Sequence, residues 1–297
     1  MKKAIVFDGN SLFYRMYYAT IKQAEYAKLN NLTPNNGIRL TINVILKYLE
    51  NNEYEYYFVA FDHSEQTFRH HDFENYKKGR QKAPDDLYTQ MIDTIDCLNY
   101  LGIKALQKPK IEADDLVGSF TKLMNDHNIS VDVITSDKDL LQLVNQQCSV
   151  HLMKQGVSNL DLFSISNFKD KFFGLNPQQI IEYKAIVGDN SDNLPGINGI
   201  GPKTGIDLLL KYHDLDNIYN HLNELSLNLQ KKFNESKAMA YQCRQLSTIL
   251  LNELNDCQIN DFKIQKYDLD KLQTIINKYH LKQLDEYLNK NKQINLF

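Results

Sequence analysis

Cysteine is scarce in this 297-residue chain: Cys97, Cys148, Cys243 and Cys257 lie far apart and form no Cys-x-x-Cys pair. That removes the usual zinc and disulfide-framework spacings and points to reduced, buried thiols in a cytosolic protein. Long apolar runs are missing as well. Nothing approaches the roughly 20 consecutive apolar residues of a membrane span, and the stretch Ala4 to Phe7 is too short for a signal peptide. A cytoplasmic protein without a membrane partner is expected. There is no internal repeat and no long low-complexity segment, and only Leu194 to Thr204 is dense in glycine and proline. The hydrophobic and charged fractions, 42% and 24%, are ordinary for a globular chain. The length allows one large domain or two smaller ones.

What the chain does have is acid in particular places. Asp8 ends the run Ala-Ile-Val-Phe, and Asp62 ends Tyr-Phe-Val-Ala-Phe. Glu112, Asp114 and Asp115 crowd into Glu-Ala-Asp-Asp, Asp137 and Asp139 follow Val-Asp-Val-Ile-Thr-Ser, and Asp189 and Asp192 lie in Gly-Asp-Asn-Ser-Asp-Asn. A single aspartate after a strand is usually a turn former or a helix cap. Three acids in four residues exceed what capping uses, and so many like charges cannot share a crevice unless cations hold them. Oxygen-only ligands favour magnesium or manganese. The net charge of −3 looks wrong for a nucleic-acid binder, but setting these nine acids aside leaves +6 for the remainder. Where the lysines and arginines cluster then matters more than the total.

Up to about residue 165 the pattern alternates short apolar runs with amphipathic segments. Strands are expected at Lys3–Phe7, Tyr56–Phe61, Ile103–Leu106, Val131–Thr135 and Val150–Met153, with helices over Ile38–Leu49, from Pro84 to about Leu101, and over Glu112–Asn125. This alternation argues for an α/β fold with a mostly parallel sheet, whose strand ends share the rim where ligands bind. Beyond it the pattern turns helical: Gln178–Val187, a turn through Gly196–Thr204, then Thr204–Tyr212 and further helical periodicity to the end.

The turn Gly-Ile-Asn-Gly-Ile-Gly-Pro-Lys-Thr fits a helix-hairpin-helix. Its glycines let backbone N–H groups approach a phosphate, and Lys203 and the following helix N-terminus add positive potential. A Walker phosphate loop is the rival, but Pro202 separates Gly201 from Lys203 and a helix, not a strand, precedes. Asp8-Gly-Asn invites a phosphoaspartate phosphatase reading, yet Asn10 stands where that chemistry wants a second aspartate. From Thr67 to Lys82, basic residues interleave with aromatics, which suits single-stranded nucleic acid. Arg15, beside Tyr14 just after the Asp8 turn, is placed to reach a phosphate.

These motifs together resemble the 5′-3′ exonuclease (flap endonuclease) domain of bacterial DNA polymerase I and its stand-alone relatives. The likeness runs from about Lys3 to about Tyr212: Phe7-Asp-Gly-Asn-Ser-Leu with Tyr14-Arg15, Ala60-Phe-Asp62, Thr67-Phe-Arg-His70, Tyr76-Lys77 with Arg80, Glu112-Ala-Asp-Asp115, Thr135 to Leu143, and Val187 to Thr204. The last 80 or so residues carry only a weak likeness.

The resemblance implies a PIN-like nuclease domain over residues 1–172 with a helical arch at about 63–90. A helical domain with the helix-hairpin-helix is implied over residues 173–297. It implies two magnesium ions, replaceable by manganese, with Asp8, Asp62, Glu112, Asp114 and Asp115 nearer the first and Asp137, Asp139, Asp189 and Asp192 nearer the second. A potassium ion at the hairpin is also implied. Lys77, Arg80 and Arg15 are expected at the scissile phosphate. Tyr14, Arg69, Tyr76, Lys78, Gly199, Gly201, Lys203 and Thr204 are expected on DNA. Branched, nicked or 5′-flap DNA and RNA–DNA hybrids are the implied substrates of a monomeric enzyme. Lys78 and Gly205 depart from the family's usual residues, and neither is a proposed ligand. A non-catalytic junction binder would not need every acid, and a PIN-type ribonuclease would lack Gly199–Thr204.

Overall fold

A computed structural model describes residues 2–79, 83–156 and 159–294. Six strands form one sheet: β1 (Lys3–Asp8), β2 (Tyr56–Phe61), β3 (Lys104–Gln107), β4 (Ser130–Thr135), β5 (Cys148–Gln155) and β6 (Asn159–Phe163), in the order β3-β2-β1-β4-β5-β6. The first five are parallel and β6 is antiparallel to β5. The β6 edge strand was not expected from the sequence, because Asn159 and Asp161 leave it without an apolar run.

Helices in chain order are α1 (Gly9–Ala19), α2 (Ile21–Leu29), α3 (Asn36–Asn51), α4 (Phe68–Asp72), α5 (Asp85–Tyr100), α6 (Ala113–Asp126) and α7 (Phe168–Lys171). They continue as α8 (Gln179–Val187), α9 (Pro202–Tyr212), α10 (Leu215–Asn220), α11 (Leu227–Glu235), α12 (Lys237–Ser247), α13 (Leu269–Tyr279) and α14 (Lys282–Ile294). None is long and apolar enough to cross a membrane.

Strand β1 explains the layering. Its residues from Ala4 to Phe7 are fully buried, with Ile5 and Phe7 facing one core and Ala4 and Val6 the other. A strand covered on both faces reads as a continuous apolar run. The first core holds the apolar stripes of α1, α3 and α5, and the second those of α6 with Leu140, Ile180 and Phe262. A third core, around Ile186, Ile197, Leu209, Ile218 and Phe233, belongs to α8–α12.

The stretch expected to be one C-terminal unit, residues 173–297, is split by its packing. Leu272, Ile276, Tyr279, Leu284 and Leu288 join the first core beside α5 and α3, and Ile249, Leu254 and Phe262 join the second. The amphipathic stripes of α13 and α14 have no partner within α8–α12, so they bury against the sheet domain. Among its described residues, the 63–90 span is helical at α4 and where α5 begins; Lys77 stands in a turn at φ +53°.

Candidate active site

Because β1, β2 and β4 run parallel, their carboxyl ends share a rim, and β1 and β4 meet where the strand order reverses. That is the crevice where open α/β sheets bind ligands. A cleft of about 530 Å³ opens there, lined by Asp8, Asp62, Glu112, Asp114, Asp137 and Asp192, with Tyr14, Tyr88 and Lys77 at its walls.

Asp8 ends β1 and also caps α1: its Oδ1 accepts from Ser11 N at 2.9 Å and its Oδ2 from Thr135 Oγ1 at 2.7 Å. The capping role and the cleft role therefore coexist. Asp62, just past β2, accepts from Asn10 Nδ2 at 2.9 Å and from Ala113 N at 2.7 Å. It thereby receives the first amide of α6, as an anion at a helix N-terminus should. The Asp62 amide in turn donates to Asn10 Oδ1 at 2.9 Å, so Asn10 fixes the carboxylate from both sides.

Glu112 is 6% exposed. It accepts from Lys77 Nζ at 3.0 Å, Tyr76 Oη at 3.2 Å and Thr67 Oγ1 at 3.3 Å. Burial pushes its carboxyl up, but the Lys77 and Arg69 charges more than offset this and hold it below the usual range. The arch turn is fastened to the hairpin side: Lys77 N donates to Asp192 O at 3.2 Å, and Asn193 Nδ2 donates to Lys78 O at 2.6 Å.

Three other carboxylates move the other way. Burial, with Asp137 and Asp62 nearby, pushes Asp8 up to about 7. Burial and then Asp137 and Asp8 raise Asp114 well above the usual carboxylate range. Asp139 is lifted to about 7, chiefly by burial. Acids that resist ionising together are the electrostatic mark of a site for multivalent cations, and the donor set is oxygen only.

The hairpin side carries a second group. Oxygens of Asp139, Asp189 and Asp192 all lie within 4.8 Å of one another. Asp137 lines both the first cleft and a second one beside this group, and Asp192 lines the first, so the division of ligands expected between two ions is not sharp at Asp137 or Asp192. Asp189 and Asp192 lie in one tight turn, closed by the bridge between Asp189 and Leu194.

Several expected residues lie elsewhere. Asp115 does not face the cleft. It is 1% exposed and accepts both arms of Arg69, at 2.7 and 2.8 Å, and Leu250 N at 2.8 Å. One position beyond Asp114 on α6, its side chain turns about 100° into the body. Arg69, expected on DNA, is buried here: it is 2% exposed and also donates to Leu246 O and Thr248 O. Tyr76, expected on DNA, is 4% exposed with its hydroxyl on Glu112 and Asp192. Arg15 donates to Met153 O and Lys154 O at the end of β5 and does not line the cleft. Arg80 lies outside the described residues.

Tyr14 stands at the cleft wall with Tyr88. Lys78, Gly199, Gly201 and Lys203 are exposed and Thr204 half-buried, with Gly201 capping α9 and Pro202 at its first position.

Two residues escaped the sequence reading. Asn10 reads in the sequence as the place of a missing aspartate, and the signal for its role is Asp-Gly-Asn directly after a strand. Lys184 is 7% exposed, its ammonium paired with Asp139 and 2.5 Å from Asp189 Oδ2. Its signal was a lone lysine inside the apolar run of α8.

Comparison with known proteins agrees with this geometry. The sequence model described as "5′-3′ exonuclease, N-terminal resolvase-like domain" matches residues 3–173, and that of "5′-3′ exonuclease, C-terminal SAM fold" matches residues 175–270. A 5′-3′ exonuclease of Mycoplasma pneumoniae is 42% identical over 285 residues, 96% of this chain and 98% of that protein. One of Mycoplasma genitalium is 48% identical over 240 residues, 81% of this chain and 82% of that protein. In fold, the chain is similar to the T5 5′-exonuclease solved with zinc bound (TM-score 0.68, 17% identity, 99% of both chains). It is also similar to the catalytic core of Rad2 with DNA substrate (TM-score 0.60, 15% identity, 97% of this chain and 91% of that one). The matched models, the two near relatives and the acid-lined rim agree, and the chain belongs to the 5′-3′ exonuclease family.

Proposed function

We propose that this protein is a structure-specific 5′ nuclease that hydrolyses phosphodiesters near a 5′ end, including 5′ flaps, with two divalent cations. Six carboxylates converging on one cleft at the sheet switch point carry this reading. Asp8, Asp62, Glu112 and Asp114 would hold the first ion and Asp139, Asp189 and Asp192 the second, with Asp137 between them. Magnesium fits the oxygen donors, and manganese would substitute. When bound, such a pair activates water and stabilises the departing oxygen.

The chain's own residues supply the rest. Lys77, at the cleft wall, would place its ammonium against the phosphate once cations relieve Glu112 of it; Arg80 would add a second charge. Tyr14 offers a stacking face, and Lys78 an exposed charge at the arch. Gly199, Gly201, Lys203 and Thr204 present backbone amides and a helix N-terminus to duplex phosphates, where a potassium ion would also fit. Nicked and branched DNA and RNA–DNA hybrids are the proposed substrates, acted on by a monomer in the cytoplasm. Residues 1–172 would form the nuclease domain, the arch at about 63–90 admitting the 5′ strand, and α8–α12 the duplex grip.

The test is cleavage of a 5′-labelled flap DNA with magnesium, with EDTA, and with an Asp114→Asn, Asp139→Asn double variant. Cuts near the single-strand/duplex junction that need magnesium and vanish in the variant are expected. Tight junction binding without cleavage, in magnesium and in manganese, would sink the nuclease reading.

A further inference from the structure

Lys184 is the most buried cation of the hairpin-side acidic group. Lys77 is 18% exposed at its side chain and pairs with one carboxylate, whereas Lys184 is 9% exposed and pairs with two. Its helix, α8, is otherwise apolar toward the cores, with Ile180 in the second core and Ala185 and Ile186 in the third. A lysine in such surroundings stays charged only if anions surround it. Here Asp139 and Asp189 do so, raising the Lys184 ammonium above its usual value against the opposing effect of burial. Burial pushes Asp189 up, but the same ammonium more than offsets this and takes it down to about 2.

The position is what matters. Oxygens of Asp139, Asp189 and Asp192 within 4.8 Å of one another bound a space the size of one cation, and the Lys184 ammonium is already against two of the three. An ammonium and a divalent ion cannot share that space, because like charges a few ångströms apart repel strongly in a dry environment. We propose that Lys184 is the resident counter-ion of Asp139, Asp189 and Asp192, and that a divalent cation enters this group by displacing its ammonium. The proposal rests on reading these three acids as cation ligands.

The exchange needs no backbone movement. A lysine stem is flexible, and a cleft of about 700 Å³, lined also by Asn190, Ser191, Gly201 and Pro202, opens beside the group. The displaced ammonium would face that cleft, next to the N-terminus of α9. Loading the cation would therefore add positive charge where α9 meets a duplex phosphate.

Two measurements test this. In the first, manganese binding to wild-type protein and to Lys184→Met is followed by electron paramagnetic resonance. The variant should bind one ion at least tenfold more tightly, with the affinity of the other ion unchanged. Equal or weaker binding in the variant would overturn the exchange. Because Lys184→Met leaves Asp139 and Asp189 without their paired ammonium and could fail to fold, the second measurement uses wild-type protein. There the ¹⁵Nζ signal of Lys184, protected from solvent without metal, should broaden into exchange as magnesium is added. A signal that stays sharp while the amides of Asp139, Asp189 and Asp192 shift would also overturn it. If magnesium moves none of those amides, the three acids are not cation ligands, and the exchange falls with that reading.

Discussion

Asp114 and Asp115 are neighbours of the same type, yet one lines the cleft and the other closes a buried ion pair. Asp115 meets Arg69 through two parallel N–H···O bonds at 2.7 and 2.8 Å, both partners being nearly inaccessible. Removing one partner of such a pair strands the other charge, which costs about 3–5 kcal/mol. Arg69→Met should lower the free energy of unfolding by about that amount in a urea titration; a loss below about 1 kcal/mol would mean the pair is solvated. Asp132 gives a milder case with a defined pH sign. Burial alone would raise its carboxyl, but His151, whose Nε2 lies 3.1 Å away, and the Tyr54 hydroxyl at 2.8 Å more than offset this and hold it below the usual 3.8. A depressed carboxyl stabilises the fold above its unfolded value and loses that contribution as pH falls through the folded one. Asp132→Asn should therefore lower the melting temperature at pH 7, with the gap to wild type closing below about pH 3.8. A gap that is constant down to pH 2 would contradict the argument.

At the scale of elements, the hairpin between α8 and α9 shows which glycines the backbone demands. Gly196 has φ +63°, and a Cβ there would stand 2.4 Å from Gly188 N. Gly201 has φ −95° and nothing within 4 Å of a Cβ. Gly196→Ala combines left-handed strain with a collision against backbone that cannot yield, so a loss of at least about 2 kcal/mol is expected. Gly201→Ala should melt within about 0.5 kcal/mol of wild type. It would nevertheless bind duplex DNA several-fold more weakly in fluorescence anisotropy, because the added methyl stands at the helix N-terminus proposed above to meet a phosphate. Equal melting of the two variants would refute the contrast.

For the whole molecule, the return of α13 and α14 to the sheet domain is a matter of core size. Leu272, Ile275, Ile276, Tyr279, Leu281, Leu284 and Leu288 are buried in the first core. At about 1.5–3 kcal/mol for each large apolar side chain buried, they contribute on the order of the entire net stability of a typical domain, about 5–15 kcal/mol. A chain ending after residue 265 should give no cooperative thermal transition in calorimetry, even though it keeps every acidic residue of the cleft. A cooperative transition near the full-length temperature would show that these helices are dispensable.

The sequence by itself determined the rim and its charge. Apolar runs of strand length ending in aspartate, separated by amphipathic helices, force parallel strands whose carboxyl ends coincide, so Asp8, Asp62 and Asp137 had to meet. Local glycine and proline chemistry likewise determined the hairpin from Leu194 to Thr204. Only the tertiary structure decided which acids point into the cleft and which cations answer them. Arg69 reaches Asp115 from 46 residues away and Leu250 from 135. The direction of a helical side chain depends on the helix's rotation against its neighbours, and that rotation is set by the whole core. Lys184 illustrates the same limit: it reads as an ordinary lysine until Asp139, in the short helical turn after β4, and Asp189, beyond a glycine turn, close around its ammonium.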